Sequence, residues 1–276
     1  MLDLGALKKL GKALGYKQAA ARPDGRGNRV AFLFRSAPVE VQDVADWRLP
    51  GGAVVHDVDA NGNVIDIPKL SRAALKATIE HGGKRVTFLN AHLKSKLLSY
   101  PSGGQPRFVP RSEAERANVA YFALHRRSAE ARTLREHVTE ILARGDEVIT
   151  LGDLNDVEDA ATTQLLYGPE GSNLRGPEDV ANPNSAFQRR DDNDAQRLFN
   201  VTMLAPAELR WSRINGGQKE LIDHILASEG LMPVAGKLRR VPVVEIRNYD
   251  SPMAPARPRT DAALPDHASV TATFAL

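Results

Sequence analysis

The chain has no cysteine at all. Disulfides and thiolate metal sites are therefore excluded, and a core of 276 residues needs no such staples. No apolar run approaches the ~20 residues that a membrane-spanning helix requires. There is no internal repeat, no low-complexity tract and no linker with a shift in composition. One domain over residues 1–276 is the reading that follows. Nor is there a strong excess of one charge: the net charge is +3 and the pI about 9.1. This balance is compatible with an anionic substrate and does not demand one.

What is present begins with "MLDLGALKKLGKALGY". Its apolar residues Leu4, Leu7, Leu10 and Leu14 recur at helical intervals, with Lys8, Lys9 and Lys12 off the stripe. The pattern predicts an amphipathic helix stopped by Gly15, not a signal peptide. Strands are predicted at "RVAFLF" and "VEVQDV", then a loop-like stretch from Leu49 to Leu70. "ALKATIE" and "KRVTFLNAHL" read as a hairpin around Gly82-Gly83. Residues 111–145, rich in Ala, Glu, Arg and Leu, read as a long helix closed by Gly145. "EVITL" is a strand, "ATTQLLYG" a short helix, and Pro169 to Arg197 a long polar surface loop. "ELIDHILAS", "VPVVEI" and "ASVTATFAL" are the last strands. Strands outnumber helices and hairpins occur, which favours a mixed α/β (α+β) sandwich over a simple alternating parallel sheet.

Polar groups cluster at strand ends. "TFLNAHL" carries Asn90 and His92, and "ITLGDLND" carries Asp153, Asn155 and Asp156. "LIDHIL" carries Asp223 and His224, and "LPDHASV" carries Asp266 and His267. An i, i+2 pair on an extended chain shares one face, so Asn90 with His92, and Asp153 with Asn155, can each look into one pocket. Taken singly, each has a bland reading. Asp-x-Asn after a strand is commonly a turn or a helix cap. Asn-x-His in a strand is commonly hydrogen-bonded structure. Asp223 is the least bland, because a carboxylate among Leu221, Ile222, Ile225 and Leu226 needs a partner, and a histidinium suits it.

Together these motifs resemble the endonuclease/exonuclease/phosphatase superfamily of metal-dependent phosphoesterases, over nearly the whole chain from Gly5 to Leu276. "NAHLKSK" is similar to that family's Asn-x-His-Leu strand, "LGDLND" to its Gly-Asp-x-Asn motif and "LIDHILAS" to its Asp-His-Ile strand. "LPDHASV" is similar to its Ser-Asp-His-x-x-Val motif, with Pro265 in place of Ser. The resemblance implies a four-layer α/β/β/α sandwich of two mixed sheets flanked by helices. It implies catalytic roles for His92, Asp153, Asn155, Asp223 and His267. His267 would activate water, oriented by Asp223, and His92 would donate to a phosphoryl oxygen. Asp153 and Asn155 would position the nucleophile and the scissile phosphate, or bind metal. Asp266 would hold Mg²⁺ or Mn²⁺, directly or through water. Asn90, Lys94, Arg107 and Arg111 are candidates for substrate binding, and Arg239, Arg240, Arg257 and Arg259 could widen that basic patch. His224 points to the opposite strand face, so its expected role is structural.

One departure stands out. The family opens with an Asn-bearing strand and a second strand ending in Gln-Glu, whose Glu is the principal metal ligand. Both precede the helix that "LGALKKLGKALGY" resembles, and here that helix starts the sequence. Glu40, Glu80 and Glu113 occupy no matching place. A start assigned downstream of the natural one, or a truncated form of the chain, is the explanation expected, together with an open slot where those strands belong. Three functions compete: a nuclease or phosphodiesterase acting on nucleic acid, a phosphatase or phosphodiesterase of small phosphates or phospholipid head groups, and a relic without its metal-binding Glu.

Overall fold

The computed structural model describes residues 4–169, 174–189, 194–215, 217–233, 241–247 and 266–275. Helix α1 (Leu4–Leu14) ends at Gly15, whose φ of 68° is the left-handed stop that glycine permits. Of its predicted apolar stripe only Leu7 is buried; Leu4, Leu10 and Leu14 are 38%, 47% and 52% exposed. The helix closes on the fold through Leu7 and Gly11, where a Cβ on Gly11 would stand 3.1 Å from the Tyr16 carbonyl.

A six-stranded sheet is the scaffold. Its order is β3 (Glu40–Asp46), β6 (Lys69–His81), β7 (Lys84–His92), β8 (Glu147–Asp153), β12 (Asp223–Ser228) and β9 (Leu198–Asn200). Only β7 and β8 run parallel, which makes the sheet mixed. A parallel pair needs a crossover, and α2 (Glu113–Ala143), capped by the Ser112 side chain, supplies it. Leu134, Val138 and Ile141 of α2 pack on Leu89, Ala91, Val148 and Leu226 of the sheet. Helix α3 (Ala161–Tyr167) adds Leu166 and Tyr167 to the same layer.

Among the described residues, two antiparallel ribbons cover the opposite face. One is β1 (Lys17–Ala20) with β2 (Ala31–Phe34), and its Ala19 and Phe32 pack near Ala73 and Leu75 of β6. The other is β13 (Val243–Arg247) with β14 (Ser269–Thr273), and it packs over Ile149, Ile225 and Ala227. Among the described residues the two ribbons share no strand pairing, and Ile79, Phe88 and Leu151 on this sheet face are only partly buried. Of the expected pair of mixed sheets, the described residues show one mixed six-stranded sheet and small two-stranded sheets.

The stretch read as loop from Leu49 to Leu70 holds a hairpin, β4 (Val55–Val58) and β5 (Val64–Ile67). Asp59 organises its turn by accepting from the backbone N–H groups of Asn61 and Asn63 at 2.8 and 2.9 Å. The Pro169–Arg197 region, where described, includes a short helix, α4 (Pro177–Ala181). A last small ribbon joins β10 (Arg213–Asn215) to β11 (Gln218–Glu220). No described helix is long and apolar enough to cross a membrane.

Candidate active site

Strand register alone places three side chains in a row. His92 is level with Asp153 across the parallel β7–β8 pair, and Asp153 is level with Asp223 across the antiparallel β8–β12 pair. Alternation sets their face: His92 shares parity with Val86 and Phe88, Asp153 with Ile149, and Asp223 with Ile225 and Ala227. All three therefore stand on the ribbon side of the sheet, at the ends of the strands. His92 Nε2 lies 3.2 Å from Asp153 Oδ2, and His267 Nδ1 lies 2.7 Å from Asp223 Oδ2. His267 arrives from just before β14, where the Ala268 N–H donates to the Ser212 carbonyl at 2.7 Å.

The loop after β8 completes the row. Gly152 has φ 128°, and a Cβ there would stand 2.0 Å from the Ala91 carbonyl and 3.0 Å from Asn90 Oδ1. Only glycine fits that close approach of β7 and β8. Asn155 takes φ 55°, a conformation Asn tolerates better than most residues, and its N–H donates to Asp153 Oδ1 at 2.9 Å. Its Nδ2 donates to the Leu93 carbonyl at 3.0 Å, so the side chain is nearly buried while still edging the cleft. Asp156 turns away from the cleft. It accepts from Arg127 Nε of α2 at 2.9 Å and from the Thr162 hydroxyl, and Lys96 Nζ lies 3.4 Å from it.

A cleft of about 540 Å³ opens over this row. His92, Lys94, Asp153, Asn155, Asp266 and His267 line it. Asp223 stands behind His267 and is half-buried, not deeply buried as its apolar neighbours suggest. Asn90 lies two residues before His92 and instead donates to the Ala31 carbonyl of β2 at 3.1 Å. Arg107 is outside the cleft as well. Its guanidinium is consumed by Glu115 at 2.6 Å and by the carbonyls of Pro101 and Val109. Arg111 borders a different pocket, beside Asn118 and Gly62. Arg239, Arg240, Arg257 and Arg259 lie outside the described residues. His224, on the other sheet face, is fully buried between Asn200 Nδ2 at 3.1 Å and the Asp156 carbonyl at 2.9 Å.

The cleft also holds cations that the motifs do not reveal: Arg26, Arg72, Arg126 and Arg213. Arg72 donates to the carbonyls of His92 and Leu93 at 3.2 and 3.1 Å and pairs with Asp24 at 3.3 Å. Arg126 pairs with Asp57 at 2.6 Å. Glu130 of α2 is a buried carboxylate that accepts from the Ser71 N–H at 3.1 Å, the Ser71 hydroxyl and the Lys94 N–H at 2.5 Å. Its signal in sequence is faint, because one Glu in a charged helix looks like a solvated face.

Electrostatics separate the groups. Burial and the neighbouring Asp223 charge push the Asp153 carboxyl up to about 6. Burial, then the Arg72 and His267 charges, push His92 down to about 4, so its ring is neutral at pH 7. Burial alone would lower His267, but the Asp223 hydrogen bond and the charges of Asp223, Asp153 and Asp266 outweigh it and raise its pKa. Lys94 is lowered, chiefly by burial. Asp153, Asp223 and His267 each bring one donor atom within 4.8 Å of the others, a group that could hold a metal ion. The donor chemistry fits a hard divalent cation, since two adjacent carboxylates supply oxygen ligands whose mutual repulsion a cation would relieve.

The comparisons with known proteins agree with this fold. Residues 2–249 match the model of the Endonuclease/Exonuclease/phosphatase family, and the chain belongs to that family. An endonuclease/exonuclease/phosphatase from Bacteroides vulgatus is 14% identical, with a TM-score of 0.50 over 99% of this chain and 81% of that one. Truncated Caenorhabditis elegans TDP2 is 17% identical, with a TM-score of 0.47 over 99% of this chain and 81% of that one. The human Nocturnin catalytic domain is 12% identical, with a TM-score of 0.43 over 88% and 67%. Of another C. elegans TDP2 chain, this one spans 62%. No curated protein matches the chain.

Proposed function

We propose that this chain hydrolyses phosphodiesters of nucleic acid, with the row His92–Asp153–Asp223 and its attached His267 as the catalytic machinery. The observation that carries the reading is the 2.7 Å contact of His267 Nδ1 with Asp223 Oδ2, set beside a second carboxylate in the same row. With Nδ1–H committed to Asp223, His267 keeps Nε2 free to take a proton from water. The Asp223 carboxylate favours the imidazolium that forms.

Asp153 and Asp266 would hold Mg²⁺ or Mn²⁺ with Asn155 and water, and the cation would neutralise phosphoryl charge. His92 acts as a neutral donor, its Nε2–H on Asp153 in the free site and on a phosphoryl oxygen once substrate enters. Lys94 is suited to the phosphate, since it is desolvated and, among the described residues, its ammonium makes one long bond, 3.4 Å to the Ser95 carbonyl. Arg26, Lys94 and Arg213 add positive charge along the cleft that suits a polyanion, while Arg72 and Arg126 are neutralised by their pairs with Asp24 and Asp57.

The test is hydrolysis of single-stranded DNA, RNA and bis-p-nitrophenyl phosphate with Mn²⁺ or EDTA, for wild type, His267→Ala and Asp153→Asn. Turnover that needs the cation and falls in both variants supports the reading. Cation-dependent turnover of p-nitrophenyl phosphate, run alongside as a monoester, with none of these diesters cleaved, would transfer the chain to the small-phosphate class.

A further inference from the structure

Phe108 is 60% exposed and Leu97 is 58% exposed, yet both line the otherwise polar cleft over the catalytic row. They also wall a smaller recess beside it, with Asn155, Arg213 and Ile222 on its other sides. Asn155 and Arg213 belong to cleft and recess alike, so the two are continuous. The recess is about 210 Å³, below the roughly 300–1,000 Å³ of pockets that take a whole drug-sized ligand, and suits a single ring system.

The aromatic is held in place. Arg107, its sequence neighbour, donates to the Val109 carbonyl at 2.6 Å, so the guanidinium bridges the backbone across Phe108. The same guanidinium reaches Pro101 and Glu115 and lies 5.8 Å from the centre of the Tyr100 ring. Tyr100 and Arg107 further exchange backbone hydrogen bonds at 2.8 and 3.1 Å. A loop fixed by that many bonds holds the Phe108 backbone in place at the cleft edge, which lowers the ordering cost of whatever stacks on its ring.

We infer that Phe108 and Leu97 form a stacking platform for a nucleobase flanking the scissile phosphate, with Arg213 meeting the backbone beside it. The inference rests on the phosphodiester reading above and narrows it to substrates that carry a base next to the cleaved bond. The chemistry favours a base over a lipid chain. The platform faces a ring-sized recess edged by the Asn155 and Asn215 amides, the Arg213 guanidinium and the Lys96–Glu220 ion pair, which suit a planar heterocycle with polar edges.

The experiment measures binding in EDTA, where no turnover intervenes. The probes are a short single-stranded DNA carrying 2-aminopurine and its abasic counterpart, whose sugar-phosphate chain is the same. Phe108→Ala is expected to weaken the base-bearing strand roughly 10-fold, the effect of losing one aromatic stack, and to leave the abasic strand unchanged. Phe108→Trp should restore affinity and quench 2-aminopurine fluorescence more strongly, which separates stacking from a folding defect. Equal weakening of both strands, or of neither, overturns the platform while leaving the phosphodiester reading intact. Wild type that binds neither strand overturns both. Binding to phosphatidylglycerol vesicles that Phe108→Ala abolishes, with strand binding unaffected, assigns the patch to lipid and refutes the proposal.

Discussion

His267 Nδ1 and Asp223 Oδ2 lie 2.7 Å apart, although the residues come from chain segments 44 positions apart. The contact joins the end of the sheet to the β13–β14 ribbon. Asp223→Ala should lower turnover roughly 100-fold or more, since base catalysis is worth that much. It should also cost about 1.5–3 kcal/mol of stability, the range for a hydrogen bond to a charged group, because the pair is only half-buried. Steady-state kinetics and thermal melting check the two effects. An unchanged melting curve would sink the contact as a structural tie.

Gly152 should tolerate no side chain. A Cβ there would overlap the Ala91 carbonyl, and φ of 128° is strained for any other residue. Gly152→Ala is expected to cost about 3 kcal/mol or more, a fall in Tm of roughly 6–12 °C, with loss of turnover as β7 and β8 separate. A variant that melts with the wild type would show that the strands can part at no cost.

Asp156 should matter for folding and not for chemistry. Arg127 and Asp156 are both nearly buried, so Asp156→Ala strands a guanidinium in the interior at a cost of about 3–5 kcal/mol. Chemical denaturation measures this directly. A double variant, Arg127→Met with Asp156→Leu, should recover much of the loss, because no charge is then left unpaired.

Cation binding should depend on pH through Asp153. Its carboxyl titrates near 6, so above that value it is charged and available, while below it the proton competes. Calorimetry with Mn²⁺ should give affinity that is level above pH 7 and falls towards pH 5. Asp153→Asn should weaken binding at pH 7.5 and remove the pH dependence. Affinity constant from pH 5 to 7.5 in wild type would place the cation elsewhere.

His137, buried on α2, carries a different pH signature. Burial and then the Arg48 charge hold its ring at about 4 in the fold, against 6.5 in the unfolded chain. Between those values the unfolded chain binds more protons, so stability is full above pH 6.5 and declines as pH falls towards 4. Melting temperatures across this window should drop more steeply for wild type than for His137→Gln. Parallel curves would mean that His137 gains its proton without penalty.

Sequence motifs reveal the candidate row His92–Asp153–Asp223 because each member sits in a short local pattern. Asn-x-His, Gly-Asp-x-Asn and Asp-His each place a group at a strand end, and register then aligns them. The residues that escape notice act over distance. Arg72, Arg126 and Glu130 come from β6 and α2, and nothing in their own neighbourhoods distinguishes them from surface charges. Asn90 and Arg107 show the converse. Each has the right residue type near the right motif, but a carbonyl or carboxylate elsewhere in the fold takes its donors. The hairpin at Asn61-Gly62 is missed because its strands are four residues each and β5 is largely exposed, held by an Asp59 turn more than by a buried apolar face. The stripe on α1 shows the limit of periodicity, which says which residues could be buried and not whether anything covers them.

Helix α2 fastens distant parts of this molecule along one rod of about 46 Å, the length of a 31-residue helix at 1.5 Å per residue. Glu115 holds the Phe108 loop, Arg126, Arg127 and Glu130 hold the cleft wall, and Glu140 reaches Arg48 at the far end. One residue inserted between Glu115 and Arg126 would turn everything beyond it by ~100° and detach one group of these ties from the other. The helix can thus drift in spelling at its exposed positions across relatives while its length stays fixed, and insertions and deletions should gather in the loops at either end.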